Sequence, residues 1–342
     1  MIEVLAVAEV PTIYSDAASE YAAVRGEGAG LLDLSAQGRV RVTGLEAIMF
    51  LNGLITNDVK TLPDNMVMKA AFPNAQGRLQ AMSHILRQSD EFLLMTEAVT
   101  AEKVAQLVGR FVFAGDFRVA NETHATAQFI VAGAQAVQIM SAVLGVEAAC
   151  LTHGHSSIIY WQDAPVTVLR LSRLSVDGFD CIIESAHAAA LWRALIMAGA
   201  QPIGAETAEV LRIEAGLPRF GIDMDETSVV LETGQDDAVS YTKGCYIGQE
   251  IIARIHWRGH VAKRLAGLQC AGRAAIAPDA EIQTPEGKNV GRVTSATFSP
   301  QLGCTIALGY VRYAQLAPGT ELHIVTGDGT SPARIVELPF IK

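Results

Sequence analysis

Within the run Lys243-Gly244-Cys245-Tyr246-Ile247-Gly248-Gln249-Glu250, a thiol lies close to an ammonium and between two glycines. A cation near a thiol favours the thiolate, the form that attacks electrophiles and binds metals. The glycines let backbone and sulfur approach another molecule closely. Gln249 and Glu250 close the run with a carboxamide and a carboxylate that could orient the loop. This reading makes Cys245 the reactive group and Lys243 its charge partner. The same residues also suit a glycine-rich turn around a core cysteine, because reactive and inert thiols differ by environment. The sequence leaves both readings open.

Three further stretches join polar chemistry to turn geometry. Asn74-Ala75-Gln76-Gly77-Arg78 reads as a hairpin tip that projects a carboxamide and a guanidinium. Residues 211–221 place Arg212 and Glu214 near the end of a mostly apolar helix, as a surface ion pair or as the lining of a cavity. Residues 292–295 and 307–311 read as two strands of a C-terminal β unit. A metal site finds little support. His153 and His155 share a turn and His256 and His260 flank Trp257, but neither pair has carboxylates or thiols at ligand spacing. There is no GxSxG elbow, no GxGxxG and no GxxxxGK[ST] loop.

The chain has 342 residues, half of them apolar and 18% charged, with a formal net charge of −10. That is a globular balance, long enough for two or three domains. The acidic balance disfavours nucleic acid as a partner. Arg254, Arg258, Lys263 and Arg264 form one basic cluster around Trp257, read either as a solvated strand face or as a contact for a polyanionic tail. Five scattered cysteines without a CxxC pair fit reduced thiols in a cytoplasm. Residues 1–10 carry Glu3 and Glu9 and no cationic start, which argues against a signal peptide. The apolar run 129–151 is broken by Gln135, Gln138, Glu147 and two glycines, so it reads as strand, turn and helix, not as a membrane span.

The elements that must position these groups alternate. A helix over 15–25 precedes a strand over 39–43, whose Val40 and Val42 alternate with Arg39 and Arg41. Strands over 66–72, 79–87 and 92–96 lead to a helix over 100–113. Its Val104, Leu107, Val108 and Phe111 form one apolar stripe. The middle third repeats this grammar: strands, a helix stopped by Gly199, and a helix over 205–217. Beyond Arg258 the pattern becomes five short strands between Gly and Pro turns, a barrel or sandwich. With no low-complexity linker, the units are expected to pack closely, and ligand sites favour such interfaces.

Taken together, these stretches resemble one family. The octapeptide with Ala253-Arg254, and the Asn74–Arg78 turn, resemble the YgfZ group of folate-binding proteins linked to iron–sulfur cluster assembly and repair. Along nearly the whole chain the similarity is to the T-protein of the glycine cleavage system, a tetrahydrofolate-dependent aminomethyltransferase. Leu32-Asp33-Leu34-Ser35, Leu54-Ile55-Thr56-Asn57-Asp58-Val59, Asp177-Gly178-Phe179-Asp180 and residues 211–221 carry it.

That resemblance implies an α+β fold: a three-domain ring of two ferredoxin-like α+β domains and a C-terminal β-barrel around a folate cavity. It divides the chain into a discontinuous folate-binding domain (1–52 and 126–257), an inserted domain (53–125) and the barrel (258–342). Tetrahydrofolate or a derivative is the implied cofactor, and iron–sulfur clients or assembly proteins the implied partners, with no nucleic acid and no membrane. Asp180 and Glu214 would hydrogen-bond the pterin edge and Arg254 would meet the glutamate tail. Tyr246, Gln249, Glu250, Asn74 and Arg78 complete the implied binding set. One departure stands out. The paired aspartates of T-proteins, one of which handles the folate nitrogen, fall on Ala81 and Met82, and neither can move a proton. The resemblance leaves aminomethyl or other one-carbon transfer as the alternative activity.

Overall fold

The computed structural model describes residues 10–341; the N-terminal segment weighed above as a signal peptide lies outside the described residues but for Val10. Three sheets organise the chain. The first has six strands in the order Gln201–Pro202, Gly30–Asp33, Thr126–Ala132, Gly178–Glu184, Ala164–Arg170 and Ser156–Trp161. Phe129, Val131, Phe179, Cys181 and Ile183 alternate onto one face of it. There they meet Leu191 and Trp192 of the helix Ser185–Met197 and Ile139 and Met140 of the helix Ala136–Leu144. The Phe129 and Trp192 rings meet edge to face at 5.1 Å. The apolar run 129–151 is thus the strand, turn and helix that its interruptions predict.

A second sheet runs in the order Val67–Pro73, Leu79–Gln88, Glu91–Thr96, Gly38–Thr43 and Arg118–Asn121. Val40, Val42, Phe72, Ala81, Ile85 and Leu94 turn one face toward Val104 and Val108 of the helix Ala101–Gly109. The strand Gly38–Thr43 therefore belongs to this sheet, between Glu91–Thr96 and Arg118–Asn121. The sheets change hands at residues 34–37, ahead of position 52, because Val40 and Val42 have their apolar partners here.

Arg39 sits where the two connections between these sheets run side by side. Its guanidinium is fully buried and donates to the carbonyls of Leu34, Ser35, Gln37, Thr123 and Thr126. One planar cation thus satisfies two irregular segments that have no ladder of their own. Its Nε also reaches the Thr126 hydroxyl at 2.7 Å.

The third unit is a closed barrel of six strands. Five are the strands read from the sequence. The sixth, Gly329–Val336, pairs with Lys263–Cys270 on one side and Glu321–Thr326 on the other, and so closes the barrel. Its polar start and Pro332 hide it from a composition reading, yet Ala333 and Ile335 alternate inward. Just before the barrel, Gln249–Arg258 forms a helix, so Arg254 lies on a helix and not on a strand face. Lys263 and Arg264 begin the first barrel strand.

Candidate functional site: a polar cleft and an exposed thiol

The first two sheets meet face to face. Leu86, Leu93 and Met95 pack on Leu169, Leu171 and Ile182 to form the apolar part of that contact. Beyond it the contact turns polar. Asp180 is fully buried, and its Oδ2 accepts from Gln128 Nε2 and Arg173 Nε, each at 2.7 Å. Asp180 Oδ1 and Gln128 Oε1 are buried with no partner among the described residues. Burial pushes the Asp180 carboxyl above its usual range, against the pull of Arg173 and Gln128. Arg173 goes on to His84 Nδ1 at 3.4 Å and to the Met95 sulfur at 3.7 Å.

This polar seam opens into a cavity of about 80 Å³. That is room for roughly five to eight waters, the scale of a flat bicyclic ring and less than a whole drug-sized ligand. Arg173, His84, Lys69, Met82 and Glu97 line it together with Phe220. Of the two positions that replace the T-protein aspartates, Met82 faces this cavity, whereas Ala81 lies in the core of the second sheet. Burial holds Glu97 above the ordinary carboxylate range, opposed mainly by Arg219.

The octapeptide lies elsewhere on the same apolar wall. Tyr246 is buried in the cluster that also holds Met82, Phe220 and Met224. Burial pushes its hydroxyl up to about 12. Lys243 is buried as well. Its Nζ donates to the carbonyls of Ile55 at 2.9 Å and Asn57 at 2.5 Å, and stands 5.1 Å from the Tyr246 ring centroid. Burial lowers its ammonium to about 8, partly offset by Asp58. No hydrogen bond joins Lys243 to Cys245; the expected charge partner is spent on two carbonyls. Cys245 between these anchors is exposed.

The structure brings the octapeptide against the Asn74–Arg78 turn. Gly248 takes φ +79, and a Cβ there would stand 2.4 Å from the Asn74 carbonyl oxygen and 3.1 Å from the Gly77 Cα. Asn74 Oδ1 accepts from the backbone N–H of Gln76 and of Arg78, each at 3.0 Å, which fixes the turn. Arg78 donates to the Thr227 carbonyl. Gln249 and Glu250 open the helix that follows. Arg254 is exposed on it, with no hydrogen bond or ion pair among the described residues. Trp257 is also exposed, and His256 stacks on Tyr241 at 3.7 Å.

Glu214 lies apart from the cavity. Its carboxylate accepts from Tyr21 at 2.7 Å, Ser299 at 2.6 Å and both Nε and Nη2 of Arg25. Arg212 bonds Asp223 at 2.5 Å and Ser295 at 2.6 Å. These charged groups are neither a surface pair nor a cavity lining; they are buried joints that fasten the helix Ala205–Glu214 to the barrel.

None of the ten residues singled out in the sequence lines the cavity; Asp180 stands one side chain behind it, at Arg173. Sequence reading missed Arg173, His84 and Gln128. A period-2 signal existed for one of them, since Met82 and His84 share a face of the strand Leu79–Gln88. Arg173 lies in the loop between two strands, where no period points. Among the described residues no group of three or more His, Cys, Asp or Glu could hold a metal ion, and no helix is long and apolar enough to cross a membrane.

Comparison with known proteins agrees with this architecture. Residues 1–243 match the GCVT N-terminal domain, and residues 263–342 match the glycine cleavage T-protein C-terminal barrel domain. An aminomethyltransferase of Rubrobacter xylanophilus is 32% identical over 337 residues, which cover 98% of this chain and 88% of that relative. One of Desulfitobacterium hafniense is 29% identical over 347 residues, covering 98% and 92%. The crystal structure of glycine cleavage system aminomethyltransferase T from Bartonella henselae superposes with a TM-score of 0.89 at 22% identity, covering 99% of this chain and 93% of that one. It shares the fold. The chain belongs to the glycine cleavage T-protein family.

Proposed function

We propose that this protein binds a reduced folate in the cleft between its sheets and supports assembly or repair of iron–sulfur clusters in client proteins through Cys245, as in the YgfZ group. The observation that carries this reading is the split in burial within the octapeptide. Lys243 and Tyr246 are anchored inside, and the thiol between them is held out to solvent. A core cysteine would be placed the other way round.

The polar seam fits a pterin. Its buried acceptors, Asp180 Oδ1 and Gln128 Oε1, have no donor among the described residues, and a pterin head offers ring and amino N–H groups. Arg173 lines the cavity and holds Asp180 Oδ2, which leaves Oδ1 for such a donor. Bound tetrahydrofolate would supply a carrier for a one-carbon unit. Asn74 and Arg78 fix the turn on which the loop presenting Cys245 is seated, and Gln249 and Glu250 open the helix behind it. Arg254, exposed and without a partner among the described residues, is available to a polyglutamate tail. The cluster or its sulfur is cargo. A cytoplasmic setting agrees with five cysteines that are all free.

A second reading, folate-dependent aminomethyl transfer, is favoured by relatives of that name that match along the whole chain. Against it, one of the two positions that the resemblance matches to the T-protein aspartates is Met82, whose thioether faces the cavity and cannot move a proton. Two assays separate the readings. Cys245→Ala is expected to abolish complementation of an iron–sulfur enzyme defect while tetrahydrofolate still raises the melting temperature. Complementation that survives Cys245→Ala would sink the thiol role. Methylene-tetrahydrofolate formed from an aminomethyl donor at enzymatic rates would establish the second reading.

A further inference from the structure

One wall of the cavity is built from hydrogen-bond donors. Arg173 Nη1 lies 3.4 Å from His84 Nδ1. A guanidinium has no acceptor, so Nδ1 must be the unprotonated nitrogen. His84 is then a neutral ring whose proton sits on Nε2, and that N–H has no partner among the described residues. Burial, with Arg173 and Lys69 close by, keeps the ring neutral by holding its pKa well below the usual range.

The surroundings select further. Lys69 and Arg173 both line the cavity. Glu97 is paired with Arg219 at 3.7 Å, and Asp180, whose Oδ2 is held by Arg173 and Gln128, stands behind Arg173 with Oδ1 unpartnered among the described residues. Thioethers of Met82 and Met95 complete this end. An entering ammonium or iminium group would meet two cations before it reached Asp180 Oδ1 behind Arg173. An oxygen acceptor would meet an unused N–H and a guanidinium.

We propose that His84 and Arg173 form a carbonyl-oxygen subsite in this cavity, and that the protein selects among folates by an oxygen on the ligand. This rests on the folate reading above. Two oxygens share the required chemistry, the 4-oxo group of the pterin ring and the oxygen of a formyl one-carbon unit.

The test is calorimetric binding to wild type, His84→Leu and His84→Gln. One ligand pair is 5-formyl- against 5-methyl-tetrahydrofolate; the other is folic acid against its 4-amino counterpart, aminopterin. Wild type is expected to favour the oxygen-bearing member of at least one pair about tenfold, as one well-made hydrogen bond gives. His84→Leu should bring that ratio close to one, and His84→Gln should keep most of it through its amide N–H. Preference in the first pair assigns the oxygen to the one-carbon unit; preference in the second assigns it to the ring. An even ratio in wild type, or a ratio untouched by His84→Leu, overturns the subsite and leaves folate binding standing. Binding of no folate at all overturns both. If His84→Leu does not fold, His84→Phe fills the same space without a donor and decides the question.

Discussion

The two glycines of the octapeptide should respond oppositely to the same methyl group. At Gly248 an alanine must adopt φ +79, and its Cβ would stand 2.4 Å from the Asn74 carbonyl oxygen and 3.2 Å from the Gly77 nitrogen. Both contacts are backbone, so neither can swing aside. The left-handed conformation costs about 1–2 kcal/mol. Moving the loop off the turn strains the Ile247 N–H bond to the Gly53 carbonyl, 3.1 Å, and the Gln249 N–H bond to the Tyr246 carbonyl, 3.2 Å. Each is worth about 1 kcal/mol. Gly248→Ala should therefore destabilise by about 3 kcal/mol, read from urea unfolding. It should also change the rate at which Ellman's reagent labels Cys245. Gly244 has nothing within 4 Å of its Cβ position. Gly244→Ala should fall within about 0.5 kcal/mol of wild type. Equal effects at the two positions, or a silent Gly248→Ala, would refute the claim that the turn at Asn74 seats this loop.

Arg39→Met should cost about 3–5 kcal/mol in unfolding free energy, because five carbonyls lose one shared donor and several are left buried without a hydrogen bond. A variant unfolding at the wild-type urea midpoint would show that the connections hold without it. Lys243 titrates at about 8 in the fold against 10.5 as a free side chain. Between those values the unfolded chain binds more protons, so this group makes stability rise with pH from about 8 to 10.5. Relative to Lys243→Met, the wild-type urea midpoint should climb between pH 7.5 and pH 9.5; a constant difference would contradict the buried site. Native protein should titrate two thiols with Ellman's reagent, Cys150 and Cys245, and Cys245→Ser should titrate one, since Cys181, Cys270 and Cys304 are buried. A rate for Cys245 as slow as for the buried set would contradict its exposure.

Alternation and turn chemistry made the elements legible. Val40 and Val42, the stripe through Val104 and Val108, and the punctuated C-terminal strands each bury one periodic face, and a period survives in the sequence. The motif resemblance was legible too, since the octapeptide and the Asn74–Arg78 turn are contiguous spellings. Their contact with one another was not, because it depends on a left-handed Gly248 fitting against Gly77, and nothing local says which turn will face it. The strand Gly329–Val336 was hidden because its outward half is polar and carries a proline, and only barrel closure requires it.

Pattern along the chain was enough to read two α+β blocks followed by an all-β barrel or sandwich, and a thiol in an unusual glycine-flanked loop. What the charges do was set by packing in space. Lys243, Arg212 and Glu214 were drawn inward to carbonyls, hydroxyls and counter-charges on distant segments. Arg173, unremarkable in its loop, came to stand at the cavity. A buried charge must find partners wherever the fold supplies them, and for Lys243 and Glu214 those partners lie far away in the chain. Hydrophobic period is a property of neighbours in sequence; charge satisfaction is a property of neighbours in space.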